Sequence, residues 1–378
     1  MRIGIDARLY GTVGKGLGRY ISELIHQLET LDHENEYVIF LRDCNFDEYE
    51  PSQPNFRKVR AEYRWYSWAE QLLLPWLLRR HDLNLVHFPH FNVPLLYRRP
   101  FVVTIHDLIL LQHPSTRAST LGPLIFKLKF LAYRLAIRRA VSDSRAVITV
   151  SEFSRQDIQN RFPSSKNKKI HVTYEASSKG VTNADRTDLG RAEEIAGTFA
   201  LYVGNAYPHK NLASLLRSFR KLREAGHDEY RLVLVGAKDH FYEQLESLAE
   251  ELNISRHVTF FGRATDAELA ELYCRASFYV FPSLYEGFGL PPLEAMSKNL
   301  PVASSKSACM PEILGDAAHY FDARDINDMT RAMTELAENE ALRKDLIERG
   351  ERQVKKYDWS ICGKQTLEIY REANERSR

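Results

Sequence analysis

Residues 278–294 read FYVFPSLYEGFGLPPLE and carry the most structural information in the chain. The first four of them are apolar, which predicts a buried strand. Gly287 and Gly289 then allow the backbone to approach a ligand closely. Pro291 and Pro292 suit the first turn of a helix, where a missing N–H group costs little. A strand, a turn and a helix start in this order predict an anion-binding corner, because the free N–H groups of a helix start favour a phosphate.

Two glutamates, Glu286 and Glu294, bracket this corner. Carboxylates repel a phosphate, so these side chains need another task, and hydrogen bonding to neutral sugar hydroxyls suits both of them. The alternative is an ordinary capped helix with solvated acids, because acidic residues are common near helix N-termini. The intact sequence EGFGLP directly after a strand favours the functional interpretation.

Segment 286–294 resembles the E-x7-E motif of the retaining glycosyltransferases of family 4. The resemblance implies an α/β fold of the GT-B type, in which two doubly wound Rossmann-like domains face each other across a cleft. It also implies that Glu286 binds hydroxyls of the donor sugar and that Glu294 binds the ribose. The backbone around these acids is expected to border the sugar and hold the diphosphate, through Gly287, Phe288, Gly289 and Leu290.

The composition is that of a globular protein long enough for two domains, with 378 residues, 44% apolar and 27% charged. The net charge of +2 predicts no nucleic-acid partner. The four cysteines lie far apart and form no C-x-x-C pair, which favours reduced thiols in a cytosolic enzyme. The start of the chain lacks the apolar stretch of a signal peptide, and no apolar run reaches the roughly 18 residues that span a bilayer. We therefore expect a cytoplasmic protein, soluble or attached only to the surface of the inner membrane.

Strand and helix patterns alternate along the chain and predict two parallel sheets covered by helices. The expected strands are 2–5, 37–41, 85–88, 101–105 and 146–150, and then 199–203, 231–235, 258–261, 278–281 and 301–303. A polar stretch without periodicity separates the two sets. The predicted domains are 1–175 on the acceptor side and 198–358 for the nucleotide-sugar, joined by a linker at 176–197. The resemblance further implies that the last helix, 359–378, packs back onto the first domain.

The loop 11–18, GTVGKGLG, follows the first strand and opens a helix. It is not the dinucleotide fingerprint, because Arg19 stands where glycine is needed, and it is not a P-loop, because Gly16 follows Lys15. A flexible turn is the alternative to a ligand-binding loop. The resemblance places this loop beside the donor phosphates and the acceptor, with Gly16 and Gly18 as the expected contacts.

Segment 205–211, NAYPHKN, follows the first strand of the second domain and resembles the phosphate-binding segment of the family. Lys210 matches the lysine that neutralises the donor diphosphate. Many members carry an arginine where this chain has Asn205, which can donate a hydrogen bond but supplies no charge. Lys210 is then expected to carry most of the cationic stabilisation, the alternative being a solvated lysine. Arg263 follows another strand, and the resemblance places it beside the nucleotide base or the phosphates.

His106 ends a predicted strand, at the position where sites occur in such sheets. It resembles the histidine of several family members that contacts the transferred sugar. His87 and His90 also lie near a strand end, and we expect structural roles for them. Ser151 is expected to cap a helix.

Two apolar segments remain. Segment 121–139 interleaves apolar residues with five basic ones, which predicts either a helix on an anionic membrane or a domain helix with a basic outer face. A second set follows roughly helical spacing and is expected in the core: Trp65, Trp68, Leu72 and Trp76.

The resulting hypothesis is transfer of a hexose from a nucleotide diphosphate, with retention of configuration, to a hydroxyl of a glycan or polyprenyl-linked acceptor. The family resemblance implies same-face substitution assisted by the leaving group, with no enzymic nucleophile, no metal and no cofactor. Segments 6–8, 106–108 and 208–211 look most like bacterial mannosyltransferases of surface polysaccharides, which favours GDP-mannose. UDP-glucose, UDP-N-acetylglucosamine and deoxysugar nucleotides stay open. A GT-B nucleotide-sugar epimerase and a non-catalytic nucleotide-sugar-binding subunit are the alternative functions.

Overall fold

A computed structural model describes residues 1–14, 16–112, 123–165, 168–177 and 190–375. The chain divides into two compact units. The first unit is Met1–Glu175 with Asp358–Arg378, and the second is Ala176–Tyr357. Most of the predicted linker, residues 178–189, and the first two residues of segment 121–139 lie outside the described residues.

The described part of the first unit contains a seven-stranded parallel sheet with the order β3-β2-β1-β4-β5-β6-β7. Its central strands are almost wholly buried apolar runs, as expected for a parallel sheet covered on both faces. The strands are β1 Arg2–Asp6, β2 Glu36–Leu41, β3 Phe56–Arg60, β4 Leu85–Phe88, β5 Phe101–Thr104, β6 Ala146–Thr149 and β7 Ile170–Val172.

Helices connect these strands. They are α1 Gly16–Leu31, α2 Trp68–Arg79, α3 Ile109–Gln112, α4 Pro123–Asp143 and α5 Glu152–Arg161. The side chain of Ser151 accepts a hydrogen bond from the Ser154 N–H group, which confirms the predicted cap of α5. Leu74 and Leu78 of α2, Ile137 of α4 and Ile158 of α5 enter one apolar cluster with strand residues. These three helices therefore cover the same face of the sheet.

The second unit contains a six-stranded parallel sheet with the order β10-β9-β8-β11-β12-β13 in the described residues. The strands are β8 Phe199–Val203, β9 Arg231–Val235, β10 Val258–Gly262, β11 Phe278–Phe281, β12 Val302–Ser305 and β13 Ala318–Phe321. The helices are α6 Leu212–Glu224, α7 His240–Glu251, α8 Asp266–Arg275, α9 Leu290–Ser297, α10 Met310–Leu314, α11 Ile326–Glu338 and α12 Glu340–Val354. The direction of strand addition reverses between β8 and β11, and a doubly wound sheet binds ligands at the carboxyl ends of such a strand pair.

The last helix, α13 Trp359–Glu375, packs on the first unit. The Trp359 ring lies 6.0 Å from the Tyr20 ring of α1. The Tyr370 hydroxyl lies 2.6 Å from Nδ1 of His87. Gly363 faces Gln27 of α1 so closely that a Cβ atom there would lie 2.7 Å from the Gln27 Cβ atom.

One expectation about the core is wrong. Trp68, Leu72 and Trp76 are 84%, 57% and 55% exposed, so they do not lie in the core. The physical reason is that α2 is apolar around most of its circumference, and a different stripe, with Leu74 and Leu78, faces the sheet. Helical spacing alone does not distinguish two apolar stripes on one helix.

Candidate active site

The candidate site lies at the carboxyl ends of β8 and β11, which are neighbours in the sheet. The two loops that leave these strands are joined by hydrogen bonds. The Leu284 N–H group donates to the His209 carbonyl at 2.7 Å. The Asn211 amide donates to the carbonyls of Pro282 at 3.2 Å and Ala323 at 2.7 Å. Asn211 has a φ of 61°, a left-handed conformation that asparagine tolerates better than most residues.

These contacts bring Lys210 against Glu286. The Lys210 Nζ atom lies 2.6 Å from Oε1 of Glu286, and the two side chains are only 13% and 10% exposed. The ammonium also lies 5.6 Å from the centre of the Phe281 ring. A mostly buried carboxylate next to a mostly buried ammonium is favourable only as a pair, so each side chain holds the other in place.

The turn before α9 depends on Gly289. Its φ is 95°, and a Cβ atom at this position would lie 2.5 Å from Cε of Met310. The Cys309 thiol donates a hydrogen bond to the Phe288 carbonyl at 3.2 Å and so helps to hold the loop in place. Burial, followed by the nearby Glu286 charge, raises the pKa of Cys309, so the thiol stays a protonated donor. The predicted helix start with a proline in its first turn is confirmed, since α9 begins at Leu290.

Glu294 lies on α9, and it is 2% exposed. The Tyr273 hydroxyl of α8 donates to its Oε2 atom at 3.2 Å. A carboxylate this deeply buried is costly without hydrogen bonds. Glu294 is therefore a fixed hydrogen-bond acceptor and not a solvated helix acid. Gly287 and Phe288 lie between the two glutamates, in the loop that leads to Gly289.

Asn205 shapes the loop that leads to Lys210. Its Oδ1 atom accepts a hydrogen bond from the Tyr207 N–H group at 3.3 Å, and its carbonyl accepts one from the Tyr202 hydroxyl at 2.8 Å. The side-chain contact to the backbone two residues later is typical of an asparagine turn. The structure thus gives Asn205 a local structural role, and its predicted contact with the donor stays a prediction.

Arg263 follows β10 and is exposed. Its carbonyl accepts a hydrogen bond from Arg191 at 2.7 Å. Because β10 lies three places from β11 in the sheet, the two strand ends are about 14 Å apart. The structure therefore does not bring Arg263 into contact with Lys210 or Glu286, and its predicted contact with the base or the phosphates stays a prediction.

Gly16 and Gly18 lie at the start of α1, in the first unit. A Cβ atom on Gly16 would meet no atom within 4 Å. A Cβ atom on Gly18 would overlap the carbonyl oxygens of Gly11 and Leu9. The structure thus gives Gly18 a packing role that the sequence did not reveal, whereas Gly16 faces open space.

His106 is held by two acceptors in the first unit. Its Nδ1 atom lies 3.1 Å from Oε1 of Glu175, and its Nε2 atom lies 3.1 Å from the Pro89 carbonyl. The Tyr20 ring packs edge-on at 4.6 Å. Burial lowers the pKa of His106, but the hydrogen bond and charge of Glu175 raise it by more, and the net pKa is raised. Because both nitrogens face acceptors, this arrangement suits the doubly protonated ring.

The expected structural role of His87 is confirmed. The ring is fully buried and bonded to Tyr370 at 2.6 Å and to Thr104 at 2.8 Å. Burial lowers the pKa of His87 to about 3, so this ring is neutral.

A buried ion cluster at the end of β1, within segment 6–8 and α2, is not predictable from the sequence. Arg8 is 1% exposed and binds Asp6 through two hydrogen bonds of 2.8 and 2.7 Å. Its Nη2 atom also donates to Glu70 of α2 at 2.7 Å. The cluster joins β1 to α2. Two of its residues, Asp6 and Arg8, line a small cavity together with Trp65 and His90. The sequence does not identify Glu70 as a member of the cluster. Buried and exposed residues both occur in the apolar helix α2, so its sequence does not show that Glu70 is buried.

Within the ranges that the structure covers, no group of three His, Cys, Asp or Glu residues could hold a metal ion. No helix in those ranges is both long and apolar enough to cross a membrane. The absence of a metal requirement stays a prediction.

Family models of known proteins match both units of the chain. The model of "Glycosyltransferase Family 4" matches residues 14–176, and that of "Glycosyl transferases group 1" matches residues 190–353. The chain is 27% identical to O-antigen chain mannosyltransferase B of Escherichia coli, over 94% of this chain and 96% of that protein. It is 29% identical to O-antigen chain mannosyltransferase RfbU of Salmonella typhimurium, over 78% and 75%.

Solved structures show the same fold. The glycosyltransferase WaaG, which is involved in lipopolysaccharide biosynthesis, superposes with a TM-score of 0.72 at 15% identity, covering 98% of both chains. The two parallel Rossmann-like sheets confirm the predicted fold class. The chain belongs to glycosyltransferase family 4, has the GT-B fold and is mannosyltransferase-like.

Proposed function

We propose that this chain transfers mannose from GDP-mannose, with retention of configuration, to a hydroxyl of a glycan or polyprenyl-linked acceptor. The observation that carries the proposal is the ion pair between Lys210 and Glu286 at the switch point of the second sheet. The relatives named as O-antigen mannosyltransferases support mannose and a role in polysaccharide synthesis. We propose that the transfer takes place in the cytoplasm.

Lys210 has three N–H donors, and one of them points to Glu286. We propose that the other two N–H groups donate hydrogen bonds to oxygens of the donor diphosphate. The N–H groups of Gly289 and Leu290, at the start of α9, add donors of the kind that bind phosphate. As the sugar leaves, negative charge grows on the diphosphate, and donors fixed in advance stabilise that charge.

Glu286 would accept hydrogen bonds from hydroxyls of the mannose. Its bond to Lys210 fixes the carboxylate before the donor arrives. In the proposed step the bond from C1 to the diphosphate oxygen breaks, and the bond from C1 to the acceptor oxygen forms on the same face. The acceptor proton passes to the departing phosphate oxygen. This chemistry needs no enzymic nucleophile, and we propose that it needs no metal.

The remaining assignments rest on the family resemblance. Glu294 would bind the ribose, with Asn205 and Arg263 nearer the phosphates or the base. His106 would contact the transferred sugar, which requires a sugar hydroxyl to share or replace the bond to Pro89. Gly16 and Gly18 would border the donor.

The test is nucleotide release from a panel of sugar nucleotides, with and without lipid-linked acceptors. We expect GDP release from GDP-mannose that depends on the acceptor and persists in the presence of a chelator. Conversion of the donor without any acceptor would instead support an epimerase. Donor binding without turnover, with every acceptor offered, would support a non-catalytic subunit.

A further inference from the structure

Three buried tyrosines hold the loop that leaves β8. Consecutive carbonyl groups at the end of this strand each accept a hydrogen bond from a different tyrosine hydroxyl. The pairs are Tyr279 with Val203 at 3.2 Å, Tyr242 with Gly204 at 2.8 Å and Tyr202 with Asn205 at 2.8 Å. The three tyrosines are at most 2% exposed, and they belong to β11, α7 and β8. One short run of backbone is thus fixed from three elements of the second unit.

The three hydroxyls act as donors. Burial raises the pKa of Tyr202, Tyr242 and Tyr279, so their hydroxyls stay protonated. Two glycines leave room for them. A Cβ atom on Gly204 would lie 2.6 Å from the Tyr202 hydroxyl, and a Cβ atom on Gly236 would overlap the Tyr242 hydroxyl. The contacts between tyrosines and carbonyls therefore depend on small residues at the ends of β8 and β9.

The bonds to the carbonyls of Gly204 and Asn205 fix the direction of two N–H groups. In a trans peptide, the carbonyl of one residue and the N–H group of the next residue point in opposite directions. The Asn205 N–H group therefore points away from Tyr242, and the Ala206 N–H group points away from Tyr202. Neither N–H group forms a hydrogen bond with any residue that the structure describes. Ala206 is only 7% exposed, and an unpaired N–H group at such a position is uncommon.

These two N–H groups lie beside the candidate site. β8 and β11 are neighbours in the sheet, so the loop of Asn205 and Ala206 starts next to the loop that carries Glu286. Lys210 follows Ala206 by four residues in the same loop. Successive backbone N–H groups can form a concavity that binds an anion. The Asn205 side chain supplies no positive charge, so backbone donors here add a stabilisation of the diphosphate that this side chain does not.

We propose that Tyr202 and Tyr242 are positioning residues for the transfer reaction, because they turn the N–H groups of Asn205 and Ala206 toward the donor diphosphate. Tyr279 fixes the preceding carbonyl and so the start of the loop. The tyrosines act through the backbone and do not touch the donor. The inference rests on the proposed function, since it adds groups to the same donor site. It does not depend on the base or the sugar that the donor carries.

The first test observes the backbone amides of the full chain by NMR while GDP, UDP or guanosine is added. Hydrogen bonds from N–H groups to charged phosphate oxygens are short, and they move the amide proton signal downfield. We expect such shifts for Asn205 and Ala206 with a nucleoside diphosphate that binds, and no such shifts with guanosine. A bound diphosphate that leaves both signals in place would overturn the proposal, and so would the absence of binding by either diphosphate.

The outcomes separate this inference from the proposed function. Shifts with UDP and none with GDP would contradict GDP-mannose as the donor and leave the role of the loop in place. Shifts with GDP, but no turnover with any acceptor, would contradict the transfer reaction and also leave the role of the loop in place. Acceptor-dependent GDP release without the two shifts would support the proposed function and overturn the inference.

The second test uses variants that remove one hydroxyl each, Tyr202→Phe and Tyr242→Phe. The matched control is Tyr230→Phe. Tyr230 is also buried, at 5% exposed, but it lies directly before β9, at the opposite end of the sheet. Titration calorimetry measures the affinity for the diphosphate that binds the wild type. Denaturant-induced unfolding measures the stability of each variant and shows that it is folded.

We expect the affinity to fall about three- to tenfold in Tyr202→Phe and in Tyr242→Phe, because a carbonyl that loses its donor lets the loop turn. The double variant is expected to lose more. Tyr230→Phe is expected to keep its affinity even if it loses as much stability as the other two. A loss of stability without a loss of affinity in Tyr202→Phe and Tyr242→Phe would overturn the proposal, and so would an equal loss of affinity in the control.

Discussion

The ammonium of Lys210 lies 2.6 Å from the carboxylate of Glu286, although 76 residues separate them in sequence. They meet because β8 and β11 are neighbouring parallel strands, and each residue lies in the loop that leaves its strand. The pair links the two tasks of a donor site, since the lysine is proposed to face the diphosphate and the glutamate the sugar. A change at either residue is therefore expected to affect a different step of the reaction.

Glu286→Ala is expected to remove turnover and to leave GDP affinity within a few fold. Lys210→Met is expected to weaken GDP binding by about 10- to 100-fold, because a hydrogen bond to a charged group contributes about 1.5–3 kcal/mol. Titration calorimetry with GDP, together with a release assay, separates the two effects. Lys238→Met is the matched control, since this lysine pairs with Glu246 at 2.9 Å on the exposed surface of the same unit. A GDP affinity that falls equally in both site variants would mean that Glu286 does not face the sugar.

Gly289→Ala is expected to destabilise the protein and to stop turnover. Alanine is strained at a φ of 95°, and its Cβ atom would displace Met310. We expect a loss of about 2–4 kcal/mol in the free energy of unfolding. Gly226→Ala is the control, because Gly226 has a φ of 104° with open space around it, and it is expected to cost about 1–2 kcal/mol. Denaturant-induced unfolding measures the loss in the free energy of unfolding for both variants. Equal losses would show that the contact with Met310 does not contribute to the effect of Gly289→Ala.

The proposed contact between Glu294 and the ribose can be tested with a nucleotide that lacks the ribose hydroxyls. If Glu294 accepts hydrogen bonds from ribose hydroxyls, the wild type binds GDP more tightly than 2′,3′-dideoxy-GDP, by about tenfold. Glu294→Gln is expected to reduce this ratio, because a neutral amide is a weaker acceptor than a carboxylate. Tyr273→Phe removes only the partner that holds Glu294 and should reduce the ratio less. If the ratio is the same in Glu294→Gln and in the wild type, the ribose lies elsewhere.

The ion pair of His106 and Glu175 predicts a pH-dependent stability. The folded-state pKa of His106 is raised above its ordinary value of 6.5. The pair therefore stabilises the fold fully below the unfolded pKa, and this contribution is lost as the pH rises through the raised pKa. Asp107 also raises this pKa, and the neutral His87 and His90 are close by.

Thermal unfolding as a function of pH measures the effect. The melting temperature of the wild type is expected to exceed that of Glu175→Gln at acid pH, and the difference is expected to shrink at alkaline pH. His106→Gln should show little pH dependence of this kind. A difference that grows with pH would contradict the assigned charge state of His106.

The sequence predicted the central strands and missed three strands at the edges of the sheets. β3 carries Arg57, Lys58 and Arg60, β7 has only three residues, and the two central residues of β13 are only partly buried. Edge strands are short or charged in order to avoid pairing with other chains, so they lack the continuous apolar run that identifies a buried parallel strand. The central strands, such as β11, have that run on both faces.

The site was predictable as a set of residues but not as a set of contacts. Lys210 and Glu286 were each identified from local motifs, yet their contact depends on the order of strands in the sheet. Glu175 is the last residue of the predicted first domain, and only the fold brings it to His106. The exposed tryptophans of α2 were assigned to the core because spacing alone does not say which stripe of a helix faces inward.

The central claim is that Glu286 and Lys210 form the sugar and diphosphate ends of one donor site. Its most direct test is acceptor-dependent GDP release from GDP-mannose by the wild type and by Glu286→Ala, at donor concentrations that saturate both. We predict release by the wild type and a loss of about 100-fold or more in the variant, the effect expected when a fixed hydrogen-bonding group is removed from a reacting centre. Release by Glu286→Ala at a rate close to that of the wild type would contradict the account.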